Sequence, residues 1–305
     1  MLGPNNCSSV TTVSRLSRQP TRHGCQPLLA RAIGFLFATL PALALANVPP
    51  SLVNLSLEEL GDVHVTSVSR KDERLADAAA AIHVITEEAI RRSGARTLPE
   101  ALRLAPNLQV AQITSNTWAI SARGFNSSTA NKLLVMIDGR TIYTPLYSGV
   151  FWDVQDVLLD DVERIEVISG PGGTLWGANA VNGVINVISK KARATTGELV
   201  QAGVGNGGRG LAIRHGATSQ DQRHAFRIYA KLDQGDHSTR SNGNPAADAW
   251  NRRQTGFRSD WQLGHSELTL QGDAYQVDTD QANPGRQRSS GSNLLLRWNQ
   301  HRADG

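Results

Sequence analysis

The sequence predicts an α+β domain, built as a mixed sheet with short helices, followed by the antiparallel β-strands of an incomplete β-barrel. Two patterns support this fold class. Residues 76–191 alternate strand-like segments with two short helical ones, whereas residues 197–305 lose helical periodicity and alternate apolar with polar residues. A third observation, an export signal ahead of both regions, indicates that the chain leaves the cytoplasm.

Residues 1–46 have the composition of a secretory signal peptide. These residues contain four arginines and no acidic residue. The arginines precede an apolar run over residues 32–40, and Ala44-Leu45-Ala46 follows that run. A basic region, a short apolar core and a small-x-small site are the parts of such a signal. The run is shorter than the roughly 20 residues of a membrane-spanning helix. The competing interpretation is a buried core helix.

The charge balance excludes several classes of function. Without the four presequence arginines, 27 Lys and Arg stand against 27 Asp and Glu. A neutral mature chain without a clustered basic face does not favour nucleic-acid binding. Both cysteines, Cys7 and Cys25, lie in the presequence, so the mature chain has no disulfide framework or thiolate metal site. We also find no metal-ligand cluster and no nucleophile–base pair, and we predict no catalytic residue and no cofactor.

Residues 76–191 carry the signals of a mixed domain. Thr86 is a candidate cap for a helix over Glu87–Ser93, and Gly94 is its C-terminal stop. Thr97 and Glu100 fit a capping box that opens a second helix to about residue 104. Asp138-Gly139 is a turn signal. Strands are predicted at 82–85, 108–113, 119–123, 133–137, 162–168 and 184–189. Two long connections, 115–131 and 143–156, are candidates for function.

Residues 197–305 contain six alternating segments. The clearest is 224–233, with Phe226, Ile228, Ala230 and Leu232 on one face and Arg227, Tyr229, Lys231 and Asp233 on the other. The other segments are 198–205, 209–217, 254–263, 267–274 and 293–300. An exported chain with such strands suits an outer-membrane barrel, apolar toward lipid and polar toward the lumen. A soluble periplasmic β-sandwich has the same alternation and remains the alternative.

Two glycine-rich segments need separate interpretation. Residues 203–208 match G-x-G-x-x-G, but a dinucleotide site needs a helix after the turn, and a strand is predicted there. A hairpin turn is therefore favoured over an NAD-type site. Residues 170–183 form a second glycine-rich loop between two predicted strands. No P-loop Lys-Ser/Thr pair follows it, so a structural turn is favoured over a phosphate cradle.

Several motifs in order resemble the plug domain of TonB-dependent outer-membrane receptors. The strongest is the sequence 162–168, its glycine-rich loop at 170–183 and the strand at 184–188. Segments 81–86, 98–106, 120–125 and 133–142 match the same family, so the resemblance covers nearly all of residues 54–190. The region after residue 197 resembles the start of the family's barrel by strand pattern only.

The resemblance implies a receptor for active uptake of a bulky nutrient, of the ferric siderophore, haem or cobalamin class. The plug would act as the gate inside a barrel of roughly 22 strands in outer-membrane lipid. TonB would be the energising partner, by strand pairing with an N-terminal box. In residues 47–75 the candidate TonB box is Val63, His64, Val65, Thr66, Ser67 and Val68; an ordinary linker or first plug strand is the alternative.

The resemblance also names site residues. The plug signature and plug–barrel contacts would be Arg123, Gly124, Phe125, Asp138, Gly139, Glu163, Arg164, Glu166, Gly170, Pro171, Gly177 and Gly183. Ligand-facing loops would carry Asn116, Trp118, Tyr147, Phe151 and Trp152, although these aromatic residues equally suit packing against the barrel wall. The family usually has Arg where Ser169 stands, so the plug–barrel lock is expected to differ here.

Two hypotheses follow from the residues and the resemblance. The first is the N-terminal portion of a TonB-dependent receptor in the outer membrane of a Gram-negative envelope, with six of the strands of its barrel. The second is a C-terminally truncated product whose plug folds as a binding module without transport. Open strand edges are unstable in lipid and prone to aggregate in water. Outer-membrane fractionation and heat-modifiable mobility distinguish the two hypotheses.

Overall fold

The computed structural model describes residues 64–65, 73–74, 81–146, 148–170, 176–177, 179–205, 207–281 and 285–300. All of them belong to one compact unit that spans residues 50–305. The predicted signal peptide lies outside the described residues. No helix in the described part of the chain is long and apolar enough to cross a bilayer.

The mixed domain is built on a five-stranded sheet with the order β3-β8-β9-β6-β7. Strands β6 and β9 pair in parallel and the other neighbours are antiparallel. The strands of this sheet are β3 Ala81–Thr86, β6 Leu133–Ile137, β7 Arg140–Thr141, β8 Val162–Ser169 and β9 Gly183–Ser189. Two small hairpins accompany it: β1 His64–Val65 with β2 Glu73–Arg74, and β4 Gln109–Gln112 with β5 Trp118–Ser121.

Two short helices follow β3, as the sequence predicts. Helix α1 spans Glu87–Ser93, where Thr86 Oγ1 accepts a hydrogen bond from Ala89 N at 3.2 Å and Gly94 ends the helix in the left-handed region. Helix α2 spans Leu98–Leu102. The predicted capping box does not form, because Thr97 makes no side-chain cap and Glu100 Oε2 accepts from Arg96 N, one residue before the N-cap, at 2.7 Å.

The core of the mixed domain lies between this sheet and the elements that cover one of its faces. Ile85, Leu98, Leu102, Ile165 and Ile185 are among its fully buried side chains. A smaller apolar cluster around Leu134, Met136 and Val184 covers the other face. Every residue of β6 is buried, as the continuous apolar sequence of that strand predicts.

The remaining strands form a six-stranded antiparallel sheet, which we call the wall. Its order is β10 to β15 in sequence, and each neighbouring pair keeps one uninterrupted register. In the described residues the wall is open, with β10 and β15 as its edges. The strands are β10 Gly197–Gly205, β11 Gly208–Thr218, β12 His224–Gly235, β13 Trp250–Leu263, β14 Ser266–Asp280 and β15 Arg286–Gln300. The hairpin between β10 and β11 contains the G-x-G-x-x-G match, which confirms the hairpin interpretation.

The two faces of the wall differ as the alternation predicts. The inward residues of β12 include Arg227, Lys231 and Asp233, which are buried against the mixed domain. The outward face exposes large apolar side chains instead. Examples are Leu211, Ile213, Ile228, Leu232, Phe257, Leu294 and Leu296. The polar face of this sheet is therefore the buried one.

Candidate functional site

The interface between the mixed domain and the wall is centred on Asp156, in the segment before a 3₁₀ turn at Leu159–Asp161. Its carboxylate is fully buried and accepts hydrogen bonds from Lys231 Nζ at 2.6 Å and Arg252 Nη1 at 2.9 Å. Within the mixed domain, Leu98 N donates to it at 3.0 Å. One carboxylate of the mixed domain therefore joins helix α2 to two neighbouring wall strands.

Electrostatics keep this carboxylate ionised. Burial alone would raise the pKa of Asp156, but Lys231, Arg252 and the hydrogen bonds to the carboxylate outweigh it and hold that pKa below its usual range. Lys231 is itself enclosed, since its Nζ lies 3.3 Å from the carbonyl oxygens of Arg96 and Val157. A buried charge that loses its partner typically costs about 3–5 kcal/mol, so these groups depend on each other.

A second contact is made by Asp161, at the start of β8. Its Oδ1 lies 2.5 Å from Arg214 Nη1 and its Oδ2 lies 3.1 Å from Arg227 Nε. Arg227 also donates from Nη1 to the carbonyl oxygen of Lys190, which follows β9. The beginning of β8 and the end of β9 are thus held by cations of β11 and β12.

A third contact is made by the tight turn between β6 and β7. Asp138 and Gly139 both have positive φ, 49° and 77°, as a type I′ turn requires. The Asp138 carboxylate accepts from Ser189 N and from Gln271 Nε2, each at 2.8 Å, and its backbone oxygen accepts from Arg297. This turn therefore contacts β14 and β15 of the wall.

A fourth contact, which we call the apical joint, links the mixed domain to the wall. It consists of Ser115, Ser238, Asp248 and Trp250. Asp248 accepts from Ser115 N at 2.9 Å and from Ser238 N at 2.8 Å, and Trp250 Nε1 donates to the oxygen of Ser115 at 3.1 Å. Ser115 belongs to the predicted functional connection 115–131. Asp248 ends the long connection between β12 and β13, so this joint fastens a wall loop to the mixed domain.

Comparisons with known proteins agree with this arrangement. The family model described as TonB-dependent Receptor Plug Domain matches residues 74–184. The vitamin B12 transporter BtuB of Vibrio vulnificus strain CMCP6 is 31% identical over 172 residues, which are 55% of this chain and 27% of that relative. The mixed domain is a TonB-dependent receptor plug. The chain thus spans about a quarter of the length of the curated relatives it matches.

Solved receptors share the fold of the plug and of the first wall strands. Pseudomonas aeruginosa FpvA, bound to a heterologous pyoverdine, has a TM-score of 0.63 at 14% identity, over 79% of this chain and 34% of that one. The ferric-catecholate import receptor Fiu of Escherichia coli K12 has a TM-score of 0.55 at 25% identity, over 70% and 30%. These relatives are transporters and receptors, and the chain combines a plug with an antiparallel barrel-type sheet.

The candidate TonB box lies only partly in the described residues. His64 and Val65 form β1, which pairs antiparallel with Glu73 and Arg74, and Val65 is fully buried. Val63, Thr66, Ser67 and Val68 lie outside the described residues. The described part of the segment is therefore extended and paired within the chain.

The plug signature lies in and around β8 and β9. Glu166 is fully buried and accepts from Arg164 Nε at 2.8 Å, and Arg164 also pairs with Glu163. Gly183 is packed so closely that an added Cβ would lie 2.5 Å from the backbone oxygen of Ile168. Gly177 has a φ of 91°, which favours glycine, and Pro171 lies outside the described residues.

Arg123 and Phe125 are strained, because both have positive φ, whereas Gly124 between them adopts its positive φ without strain. The guanidinium of Arg123 lies against Gly170, 3.6 Å from the place of an added Cβ. Ser169, which stands where the family usually has Arg, accepts a hydrogen bond from Asn107 Nδ2. Among the described residues no ion pair of Arg123 is formed, so the contacts to the wall come from Asp138, Asp156 and Asp161 instead.

The aromatic residues expected to face a ligand occupy other positions. Trp118 and Trp152 are each only 4% exposed and belong to the core of the plug. The expectation for these two residues is therefore corrected in favour of packing. Asn116 is buried and donates to the oxygen of Asp153 at 3.1 Å, Phe151 is half-buried, and Tyr147 lies outside the described residues.

Sequence reasoning missed Asp156 and Asp161 as contacts to the wall, although signals were present, whereas Asp138 is among the residues that the resemblance named. Asp156 and Asp161 lie on either side of the apolar residues 157–159, and a buried carboxylate needs a cation or hydrogen bonds nearby. The alternation of the wall places Arg227 and Lys231 on its polar face, and Arg252 and Arg258 continue it on the next strand. The sequence does not predict which carboxylate of the mixed domain pairs with which cation of the wall.

Proposed function

We propose that this chain is the gate-bearing part of a TonB-dependent outer-membrane receptor for active uptake of a bulky, scarce nutrient. The observation that carries the proposal is the plug domain seated on the buried polar face of the wall through Asp138, Asp156 and Asp161. A plug held by ion pairs closes a passage. Transport would require a pull to rearrange the plug, and separating a buried ion pair costs about 3–5 kcal/mol.

The nutrient that we propose is a cobalamin or a chelated metal. Sequence similarity to vitamin B12 transporters and fold similarity to siderophore receptors support this class. Among the described residues no group of His, Cys, Asp or Glu could hold a metal ion. A metal cargo would therefore have to arrive with its own chelator.

The energising partner is TonB, which would bind residues Val63–Val68 by strand addition. The pairing of β1 with β2 supports this, because His64 and Val65 are already extended and, within the described residues, pair with two residues alone. A short internal pair is readily exchanged for a longer one with another chain. The proposed pull on this segment would reach the plug through the residues that lead into β3.

The test separates binding from transport in the protein expressed from its own locus in its own host. Val65→Pro removes a backbone donor from the box, whereas Val65→Thr keeps the donor and strand propensity. We expect whole cells to bind labelled cyanocobalamin or a ferric siderophore equally well with both variants, and to take it up only with Val65→Thr. Equal uptake with Val65→Pro contradicts the role of the box, and absence of the protein from the outer membrane contradicts the receptor.

A further inference from the structure

We propose that the outward face of the wall holds a binding site for a lipopolysaccharide, whose phosphates contact Arg209 and Arg253. The proposal rests on the proposed function, because an outward wall face meets lipid only in an outer-membrane protein. It concerns a different surface from the plug, on the opposite side of the same strands.

The connections between strands tell which end of the wall faces outward from the cell. Residues 236–249, which join β12 to β13, form the longest connection of the wall, and the short connection at 206–207 lies at the same end. The connections at the opposite end, 219–223 and 264–265, have five residues and two. Long loops at one end and tight turns at the other are typical of outer-membrane barrels, in which the long loops are extracellular. The end of the wall that carries residues 236–249 is therefore assigned to the outer leaflet.

The register places two arginines together at this end. One row across β11, β12 and β13 consists of Arg209, Gln234 and Asn251, which are register partners. The next row on the same face, two residues along each strand, consists of Leu211, Leu232 and Arg253. Leu211 and Leu232 are 45% and 49% exposed, so these two rows point outward. Arg209 and Arg253 lie two strands apart, which is about 10 Å across the sheet.

These residues line an open groove of about 340 Å³. Two exposed cations rim it, and the two leucines form its apolar floor. Arg209 donates from Nε to Gln234, which fixes its guanidinium over the groove. Arg253 makes no hydrogen bond or ion pair with any residue that the structure describes, so its charge is available to a ligand.

The opposite end of the outward face has a different character. His224 and Trp261 stack there at 4.9 Å between ring centroids, and Trp298 is 71% exposed. Asn251 and Trp261 are ten residues apart on β13, which is about 33 Å along a strand and about 25 Å across the membrane at barrel tilt. That height equals the apolar band of such barrels, so the aromatic row and the arginine row mark its two borders.

Arginines in place of an aromatic girdle at the outer border favour an anionic amphiphile. Guanidinium groups bind phosphate oxygens in pairs, and the apolar floor suits the first carbons of acyl chains. Two cations about 10 Å apart suit a head group with two phosphates better than the single phosphate of a glycerophospholipid. The lipid A part of lipopolysaccharide has this chemistry and occupies the outer leaflet, whereas phospholipid fills the inner one.

The experiment measures lipid that stays bound to the protein purified from the outer membrane of its own host. Lipid A and phospholipid are quantified per protein by mass spectrometry, after heat-modifiable mobility has established that the barrel is folded. The double variant Arg209→Gln/Arg253→Gln removes both charges. The matched control is Arg223→Gln, an exposed arginine at the tight-turn end of the wall.

We expect at least threefold less lipid A on the double variant and an unchanged amount on Arg223→Gln. Lipid A at the wild-type level on a folded double variant would overturn the site, and so would bound phospholipid that decreases in its place. A protein that is absent from the outer membrane would instead contradict the proposed function, which keeps the two failures distinguishable.

Discussion

Single residues show how the plug is matched to the wall. Asp156 has no access to solvent, yet it stays ionised because Lys231 and Arg252 approach from neighbouring wall strands. The reverse arrangement also occurs, since Asp260 of the wall accepts from Ala192 N at 2.7 Å and Glu267 of the wall accepts from Lys191 Nζ at 2.9 Å. Most of the buried negative charge thus comes from the plug and most of the buried positive charge from the wall.

The lowered pKa of Asp156 leads to a pH prediction. A carboxyl whose pKa is lower in the folded state stabilises the fold above its unfolded pKa of about 3.9, and this contribution is lost as the pH falls through the folded pKa. Asp156→Asn removes that titration. We therefore expect the free energy of unfolding to fall less steeply below about pH 4 in Asp156→Asn than in the wild type. Urea titrations of the detergent-solubilised protein from pH 6 to pH 2 measure it.

The control for this experiment is Asp236→Asn. Asp236 is exposed in the loop after β12 and makes no side-chain contact with the described residues. Its pH dependence should follow the wild type, and its free energy of unfolding should change by less than about 0.5 kcal/mol. A slope in Asp156→Asn equal to the wild-type slope would mean that Asp156 is not a buried carboxylate of the folded protein.

At the level of elements, sequence patterns located most strands and both helices. The structure confirms α1 at its predicted bounds, because Thr86, the charge order and Gly94 all act locally. The wall strands are longer than predicted. Strand β13 begins at Trp250. The sequence predicted a start at residue 254, because residues 251–253 are polar and resemble a loop. Their polarity has a tertiary cause, since Arg252 points inward to the plug.

The apical joint gives a prediction about a loop. Asp248→Ala removes the acceptor for Ser115 N and Ser238 N, so the connections 113–117 and 236–249 are attached more weakly, through Trp250 and the backbone oxygen of residue 248 alone. We expect faster hydrogen–deuterium exchange in these two segments and unchanged exchange in β6 and β9. Asp236→Asn, in the same loop, is the matched control. Unchanged exchange in residues 113–117 would show that the joint does not hold the loop.

At the level of the whole molecule, the sequence predicted both domains but, apart from Asp138, not the residues that join them. Alternation gave the polar face of the wall, and the motifs gave the plug. Asp156 and Lys231, however, are separated by 75 positions in the chain. No local pattern encodes such a pair, because it depends on how far the plug is rotated against the wall. The same reason explains the misplaced tryptophans, whose burial depends on packing across the plug.

The contacts to the wall also indicate which part of the plug would move first if the plug acts as the proposed gate. Asp138, Asp156 and Asp161 join the sheet and α2 to β11–β15, whereas β1 and β2 pair with each other. A pull on the N-terminal segment would act first on the part without these ion pairs. A plug that is held on the wall by charge requires energetic coupling between the plug carboxylates and the wall cations.

A double-mutant cycle on Asp156 and Lys231 measures that coupling most directly. The free energy of unfolding is determined for the wild type, Asp156→Asn, Lys231→Met and the double variant, with Asp156 and the exposed Arg288 as the control pair. We predict a coupling energy of at least about 1.5 kcal/mol for Asp156 and Lys231 and additivity for the control pair. Additivity within about 0.5 kcal/mol for Asp156 and Lys231 would contradict a plug held by charge on the wall.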